Sequence, residues 1–203
     1  VIILFIALLF GLATPFGIIY LMEILDTTIR GRKDIEDKLS IPFLGDIPEY
    51  HGSTRQGSVV VRDNGRDSVS EAFRLIRSNL GFMSVKSGKL QIIMVTSSNP
   101  HAGKTFVTTN LAMTLALADK KVVIVDLDLR RRTLSKQMGQ RDNRNGVSGY
   151  ISGTIANLND IVFQSGLHEN LDIIFAGLQP PNPAEMLLSE KFDEFMADLR
   201  KRY

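Results

Sequence analysis

Residues 91–105 read QIIMVTSSNPHAGKT, and the fold class follows from how that stretch is read. Its first part, Ile92, Ile93, Met94 and Val95, is apolar, short and β-branched enough for a buried parallel strand. Residues 96–102 are small and polar, Gly103, Lys104 and Thr105 follow, and residues 106–118 carry a helical pattern. Strand, small-residue loop, Gly-Lys-Thr and helix, in that order, is the setting of a phosphate-binding loop. Backbone N–H groups in such a loop point inward, and the helix start adds unpaired N–H groups and the positive end of its dipole. Lys104 is placed to reach the outer phosphates and the Thr105 hydroxyl to bind Mg²⁺. The usual first glycine of the pattern is absent, and Ser98 stands in its place.

A second apolar run lies one helix downstream. Residues 121–125, KVVIV, end in Asp126-Leu127-Asp128-Leu129-Arg130. Ligands of an open parallel sheet bind at the carboxyl ends of its strands, so Asp126 and Asp128 are expected beside the phosphates and their metal. Alternation puts both carboxylates on one side for as long as the strand stays extended. The plainer reading makes them strand-end turn formers. Arg130 can face phosphate, while Arg131 and Arg132 read as solvated surface.

Composition bounds the rest. The chain has 203 residues, 44% of them hydrophobic, and a formal charge of +2, which suits one folded α/β domain with something appended. The charge balance gives no reason to expect a nucleic-acid partner. With no cysteine, disulfides and thiolate metal sites are excluded. Three scattered histidines make no His-rich metal site.

The appended part is at the front. Residues 1–22 carry no charge and span ~33 Å as a helix, enough for a hydrocarbon core. Pro15 is tolerated in such a helix. A signal peptide lacks support, because there is no basic start and the segment is too long; a buried core helix is the other reading. Arg30, Arg32 and Lys33 past its end place the C-terminal side in the cytoplasm. The organisation expected is a transmembrane helix in 1–28, a juxtamembrane segment and linker in 29–66, and the α/β domain in 67–203. Within the second part, residues 34–39 suggest a short helix, 41–48 a proline-bracketed extended segment, and 49–66 a linker. The first residue is Val1, in mid-run and without methionine, which reads as a piece of a longer protein.

Ser68 or Ser70 can cap the next helix, whose apolar residues are Val69, Ala72, Phe73, Ile76, Leu80 and Met83. Glu71, Arg74 and Arg77 fall three apart on it; from spacing alone this is a solvated face with weak ion pairs. Residues 139–166 are loop-rich, 171–175 (LDIIF) form a third strand, 179–183 a proline-rich turn and 184–202 a closing helix.

Four of these segments together resemble one family, the bacterial tyrosine kinases of capsule and exopolysaccharide export, in particular the membrane-spanning Wzc type. Ser97-x-x-Pro100-x-x-Gly103-Lys104-Thr105 fits that family's variant Walker A loop, which accounts for the missing glycine. Residues 124–130, IVDLDLR, fit its Walker A′ motif, and Glu71-x-x-Arg74-x-x-Arg77 fits its oligomerisation motif, against the bland reading of that helix. Pro42 to Pro48 and Pro181-Asn182-Pro183-Ala184-Glu185 are similar to family segments as well.

The resemblance implies an α/β fold, a P-loop NTPase-like parallel sheet with flanking helices behind one transmembrane helix, with the C-terminal part of the sheet missing. It implies an ATP–Mg²⁺ tyrosine kinase in the cytoplasm, anchored in the bacterial inner membrane. Ser98, Asn99, Pro100, His101, Ala102, Gly103, Lys104, Thr105, Phe106 and Arg130 would bind nucleotide; Thr105, Asp126 and Asp128 would hold Mg²⁺. Lys104, Asp126 and Asp128 would be catalytic. Partners implied are ring-forming copies of the chain through Glu71, Arg74 and Arg77, the tyrosine-rich tails of neighbouring subunits, the polysaccharide export machinery and a cognate phosphatase. No Walker B strand and no tyrosine cluster occur in the sequence, so residues 1–203 alone are expected to be inactive. Two readings compete: a partition or septum-site ATPase of the same deviant P-loop class, and a co-polymerase subunit whose nucleotide drives assembly only.

Overall fold

The computed structural model describes residues 2–26, 28–29, 31–50, 59–87, 90–100, 102–137 and 145–203. They form two units, residues 1–43 and 44–203, each described by itself. In the first, helix α1 (Ile2–Leu25) buries none of its side chains and contains Pro15. By length and composition it is able to cross a membrane. Helix α2 (Arg32–Glu36) begins two residues before the expected 34–39, and Arg32 pairs with Glu36 at 2.7 Å.

The second unit is built on a sheet whose strands are apolar on both faces. Strands β1 (Val122–Val125), β2 (Phe163–Gln164) and β3 (Leu171–Ile174) lie in the order β1-β3-β2. β1 and β3 run parallel with Val122 opposite Leu171 and Val125 opposite Ile174. β2 joins antiparallel, Phe163 opposite Ile173. The two-residue side-chain period sends Val122, Ile124, Leu171 and Ile173 to one core and Val123, Val125 and Ile174 to the other. On the first face lie α3 (Ser68–Ser87) and α4 (Lys104–Ala116), through Val69, Phe73, Ile76, Leu111 and Ala112. After β1 come α5 (Thr133–Gln137) and α6 (Val147–Ile151). The second face carries α6 and, behind it in the chain, α7 (Pro183–Leu187) and α8 (Glu190–Arg202), through Val147, Tyr150, Met186, Phe195 and Leu199. This is an α/β sandwich of the P-loop NTPase type, with a partial sheet among the described residues.

Several expectations are corrected. Residues 92–95 form no strand and, among the described residues, have no ladder partner; Met94 is 83% exposed, and Ile92 and Ile93 are exposed too. A β-branched run supplies the propensity, but a strand needs a neighbour to take its N–H and C=O groups. β2 was expected as loop: two residues carry no period. The closing helix of 184–202 is two helices, because the Ser189 hydroxyl accepts from Phe192 N at 3.3 Å and starts α8 afresh. α3 is capped by Asp67, not Ser68 or Ser70; its carboxylate takes Ser70 N at 2.9 Å and the Ser70 hydroxyl at 2.6 Å. That hydroxyl, more than any other contact, holds the Asp67 carboxyl below its ordinary range. Met83, expected in the core, is exposed.

The expected linker, residues 49–66, also contributes to the core. Residues 51–58 lie outside the described residues, but Val60 and Val61 are buried. Both of their amides donate to one atom, Asn110 Oδ1 on α4, at 2.7 and 3.1 Å. Asn110 is fully buried and donates through Nδ2 to Phe106 O at 2.8 Å. Replacing it with alanine leaves two buried amides without their acceptor. We expect Asn110→Ala to lose about 2–4 kcal/mol, read from denaturant unfolding.

Candidate nucleotide site

The loop ahead of α4 folds around its own lysine. Gly103 precedes the helix at φ 84°, ψ 10°, a left-handed conformation that glycine takes without penalty. Lys104 opens the helix and turns back: Nζ donates to Ser97 Oγ at 2.7 Å and to Asn99 O at 3.3 Å. The Ser97 hydroxyl in turn donates to Asn99 O at 2.7 Å. Ser98, Asn99, Pro100, Ala102 and Gly103 are exposed along this loop, and Lys104 and Thr105 are half-buried. His101 lies outside the described residues. The amides of Lys104, Thr105 and Phe106 head the helix, where no intrahelical acceptor exists for them. Phe106 offers only that amide, since its ring packs against Phe73 with centroids 6.0 Å apart.

The aspartates lie at the same end of the domain. α4 packs on β1, and residues 117–121 are the only link between the end of the helix and the start of the strand. The two therefore run in opposite directions, so the beginning of α4 lies toward the end of β1. Asp126 extends the ladder by one bond, N to Ile174 O at 2.9 Å. There the chain turns. Asp126 is 7% exposed; Oδ1 accepts from Asp128 N at 3.1 Å and Oδ2 faces the Ser135 hydroxyl at 3.5 Å. Asp128 is exposed and shapes the turn, taking Arg131 N at 3.0 Å and the Thr133 hydroxyl at 3.3 Å. The expectation that both carboxylates share one side of a strand fails because β1 ends at Val125. Arg130 is exposed on the same turn. Among the described residues no hydrogen bond joins Lys104 or Thr105 to either aspartate.

Burial pushes the Asp126 carboxyl up to about 6, the Asp128 charge adds to this, and the Asp128 amide opposes it. Among the described residues no cationic side chain pairs with it. A buried carboxylate whose partners are the Asp128 and Ser135 amides and the Ser135 hydroxyl, with no cation among them, fits a divalent cation as its counter-charge. Asp128 and the Thr105 hydroxyl would complete the protein's share, the rest of an octahedral shell being water and phosphate oxygens. Among the described residues no third acidic or imidazole group joins the two carboxylates. The sequence did not single out Ser135, the partner of Asp126, because its role depends on α5 folding back over the turn.

The oligomerisation residues separate. Arg74 pairs with Glu71 and also donates to Asp63 O at 3.3 Å. Arg77 instead donates to Thr114 O at 3.0 Å, in the last turn of α4, where the helix dipole favours a cation. It braces α3 on α4 and does not continue a surface row.

These contacts make one measurement decisive for Asp126. A folded pKa near 6 against 3.8 unfolded means the folded state holds the proton more tightly. The resulting stability is complete below pH 3.8 and is lost as pH rises through 6. We expect the metal-free chain to gain about 1 kcal/mol from this group between pH 7 and pH 5. In calorimetry, Asp126→Asn should raise the pH 7 midpoint and remove that part of the pH dependence.

Comparison with known proteins gives these features a family. The CobQ/CobB/MinD/ParA nucleotide-binding domain matches residues 93–201, more than half of the chain. A putative tyrosine-protein kinase in the cps region of Klebsiella pneumoniae is 33% identical over 150 residues, 74% of this chain and 20% of that protein. The tyrosine-protein kinase etk of Escherichia coli K12 is 36% identical over 134 residues, 66% of this chain and 18% of that protein. The chain thus spans about a fifth of the length of these curated relatives. The solved kinase domain of Escherichia coli ETK superposes with a TM-score of 0.75 at 29% identity, covering 87% of this chain and 70% of that one. The chain belongs to the CobQ/CobB/MinD/ParA nucleotide-binding family, and bacterial tyrosine-protein kinases are among the proteins it is similar to.

Proposed function

We propose that the protein is an ATP–Mg²⁺-dependent tyrosine kinase, anchored in the bacterial inner membrane by α1 with its α/β unit in the cytoplasm, and that it regulates capsular or exopolysaccharide export. The observation that carries this is the lysine-centred loop at the head of α4, on the same end of the domain as the buried Asp126. Its relatives bear the name tyrosine-protein kinase, which favours this over a partition-type ATPase or an assembly-only co-polymerase. ATP would lie along residues 98–106, its phosphates on the Gly103–Phe106 amides and Lys104 Nζ, with Arg130 near them. Bound Mg²⁺, held by Thr105, Asp126 and Asp128, would neutralise charge on the phosphates.

The chain's own groups have distinct tasks. Lys104 must leave Ser97 and Asn99 to follow the transferred phosphoryl oxygens, stabilising their charge. Asp128, in solvent, would help hold the metal or its water shell, and buried Asp126 is placed to orient or deprotonate the tyrosine hydroxyl. The tyrosine hydroxyl would come from the tail of a neighbouring subunit in a ring formed through α3. The export machinery and a phosphatase would complete the cycle.

Two experiments test this in the full-length protein. Lys104→Met should remove transfer of labelled phosphate to tyrosine and weaken ATP binding while leaving circular dichroism unchanged; undiminished transfer would falsify the assignment. For the ring, Glu71→Ala with Arg74→Ala should shift the mass by light scattering toward monomer with an unchanged thermal midpoint. Arg77→Ala should in addition lower that midpoint, since its hydrogen bond to Thr114 O lies within the chain. Identical masses for parent and double variant would assign Glu71 and Arg74 to a solvated face.

A further inference from the structure

We infer that Arg132 is a positioning residue that locks the aspartate-bearing turn onto the loop following β3, and the inference rests on the kinase reading above. Three observations meet at this side chain. First, Arg132 has φ 52°, a left-handed conformation that an L residue rarely adopts and that glycine occupies freely. Second, its backbone closes the turn: N donates to Asp128 O at 2.9 Å, and its own carbonyl accepts from Lys136 N at 3.1 Å to start α5. That helix carries Ser135, whose hydroxyl faces Asp126. Third, its guanidinium spans to the other loop, Nη1 donating to Gly177 O at 3.2 Å in a partly buried setting.

Gly177 is a fixed point. It has φ +80°, and a Cβ built on it would lie 2.5 Å from Ser148 Oγ. Gly146 presses on it from α6; a Cβ there would come within 2.4 Å of both Gly177 N and Phe175 O. Val147 N donates to Phe175 O at 2.9 Å and Ser148 N to Ala176 O at 3.0 Å. Residues 175–177 are thus held by the start of α6, with no space for a side chain at Gly146 or Gly177. A charged donor bonded to a carbonyl of that clamp transfers its rigidity to the aspartate turn. A solvated arginine, as the sequence suggested, would not direct its guanidinium to a partly buried carbonyl.

Substituents that orient first-line groups are worth 10–100-fold in activity or metal affinity when removed. The discriminating variant is Arg132→Gly, which suits the backbone conformation and removes the guanidinium. In the full-length protein, with ATP–Mg²⁺ and its own tyrosines as substrates, we expect kcat to fall about tenfold or more and the Mg²⁺ half-saturation to rise. KM for ATP should stay within about twofold of the parent's, and the thermal midpoint should be unchanged or higher. Arg132→Lys, which restores a cationic donor, should recover part of kcat, and it also shows that the site tolerates substitution. A kcat for Arg132→Gly within about twofold of the parent would overturn the inference, as would a change confined to KM for ATP. Asp126→Asn and Asp128→Asn are measured alongside. If the parent itself transfers no phosphate to tyrosine, the kinase reading fails; if the parent transfers and the two aspartate variants lose it while Arg132→Gly does not, only the role of Arg132 fails.

Discussion

The parallel ladder between β1 and β3 is the constraint on which the rest of the unit depends. Both strands send apolar side chains to both faces, so each is covered twice: by α3 and α4 on one side, by α6 and α8 on the other. Parallel strands also oblige the chain to return to the starting edge between them. The segment between them, residues 126–170, begins at Asp126 on the end of β1 and includes the start of α6, which bonds to the continuation of β3. Asp126, the α6 start and the 175–177 segment meet there for that reason, and the hydrogen bonds from Asp126 N, Val147 N and Ser148 N to β3 and its continuation fix them. Site and sheet are one construction.

The first face shows how polar groups serve inside that construction. α4 buries Thr109, Asn110 and Thr114, an unusual load for a helix in a core. Thr109 and Thr114 return their hydroxyls to Thr105 O and Asn110 O at 2.8 and 2.7 Å. Asn110 makes the same return through Nδ2 to Phe106 O and gives its Oδ1 to the incoming backbone of Val60 and Val61. The helix that begins with the phosphate loop is thereby tied mid-length to the segment before α3 and at its end to Arg77. A cavity-free apolar contact would hold α4 in place; these directed bonds also fix its rotation and register, which sets where Lys104 and Thr105 point.

Much of this was legible from residues. LDII of β3 and VVIV of β1 announce themselves, because β-branched runs between polar turns admit few other readings. Gly103-Lys104-Thr105 was legible because its chemistry needs a fixed local order. What the sequence concealed depended on partners remote in the chain. Val60 and Val61 look like linker until Asn110, fifty residues on, accepts their amides. Arg77 looks like a third member of a surface row until Thr114 O claims it. Ile92 to Val95 has strand composition, yet its neighbours decide whether it pairs. The break at Leu188 is local but subtle: a single hydroxyl at Ser189 competes with helix continuation, and Leu188 is left 86% exposed.

The posture of Lys104 has a consequence for selectivity. Its ammonium is already solvated by the protein, through Ser97 Oγ and Asn99 O. An arriving anion therefore performs a ligand exchange, not an entry into open space, and must offer more than a hydroxyl and a carbonyl already provide. Densely charged polyphosphate oxygens meet that standard; a singly charged carboxylate or a chloride ion does so poorly. On the proposed function, the loop would act as a threshold set by two neutral oxygens, which a polyphosphate passes more readily than a singly charged anion.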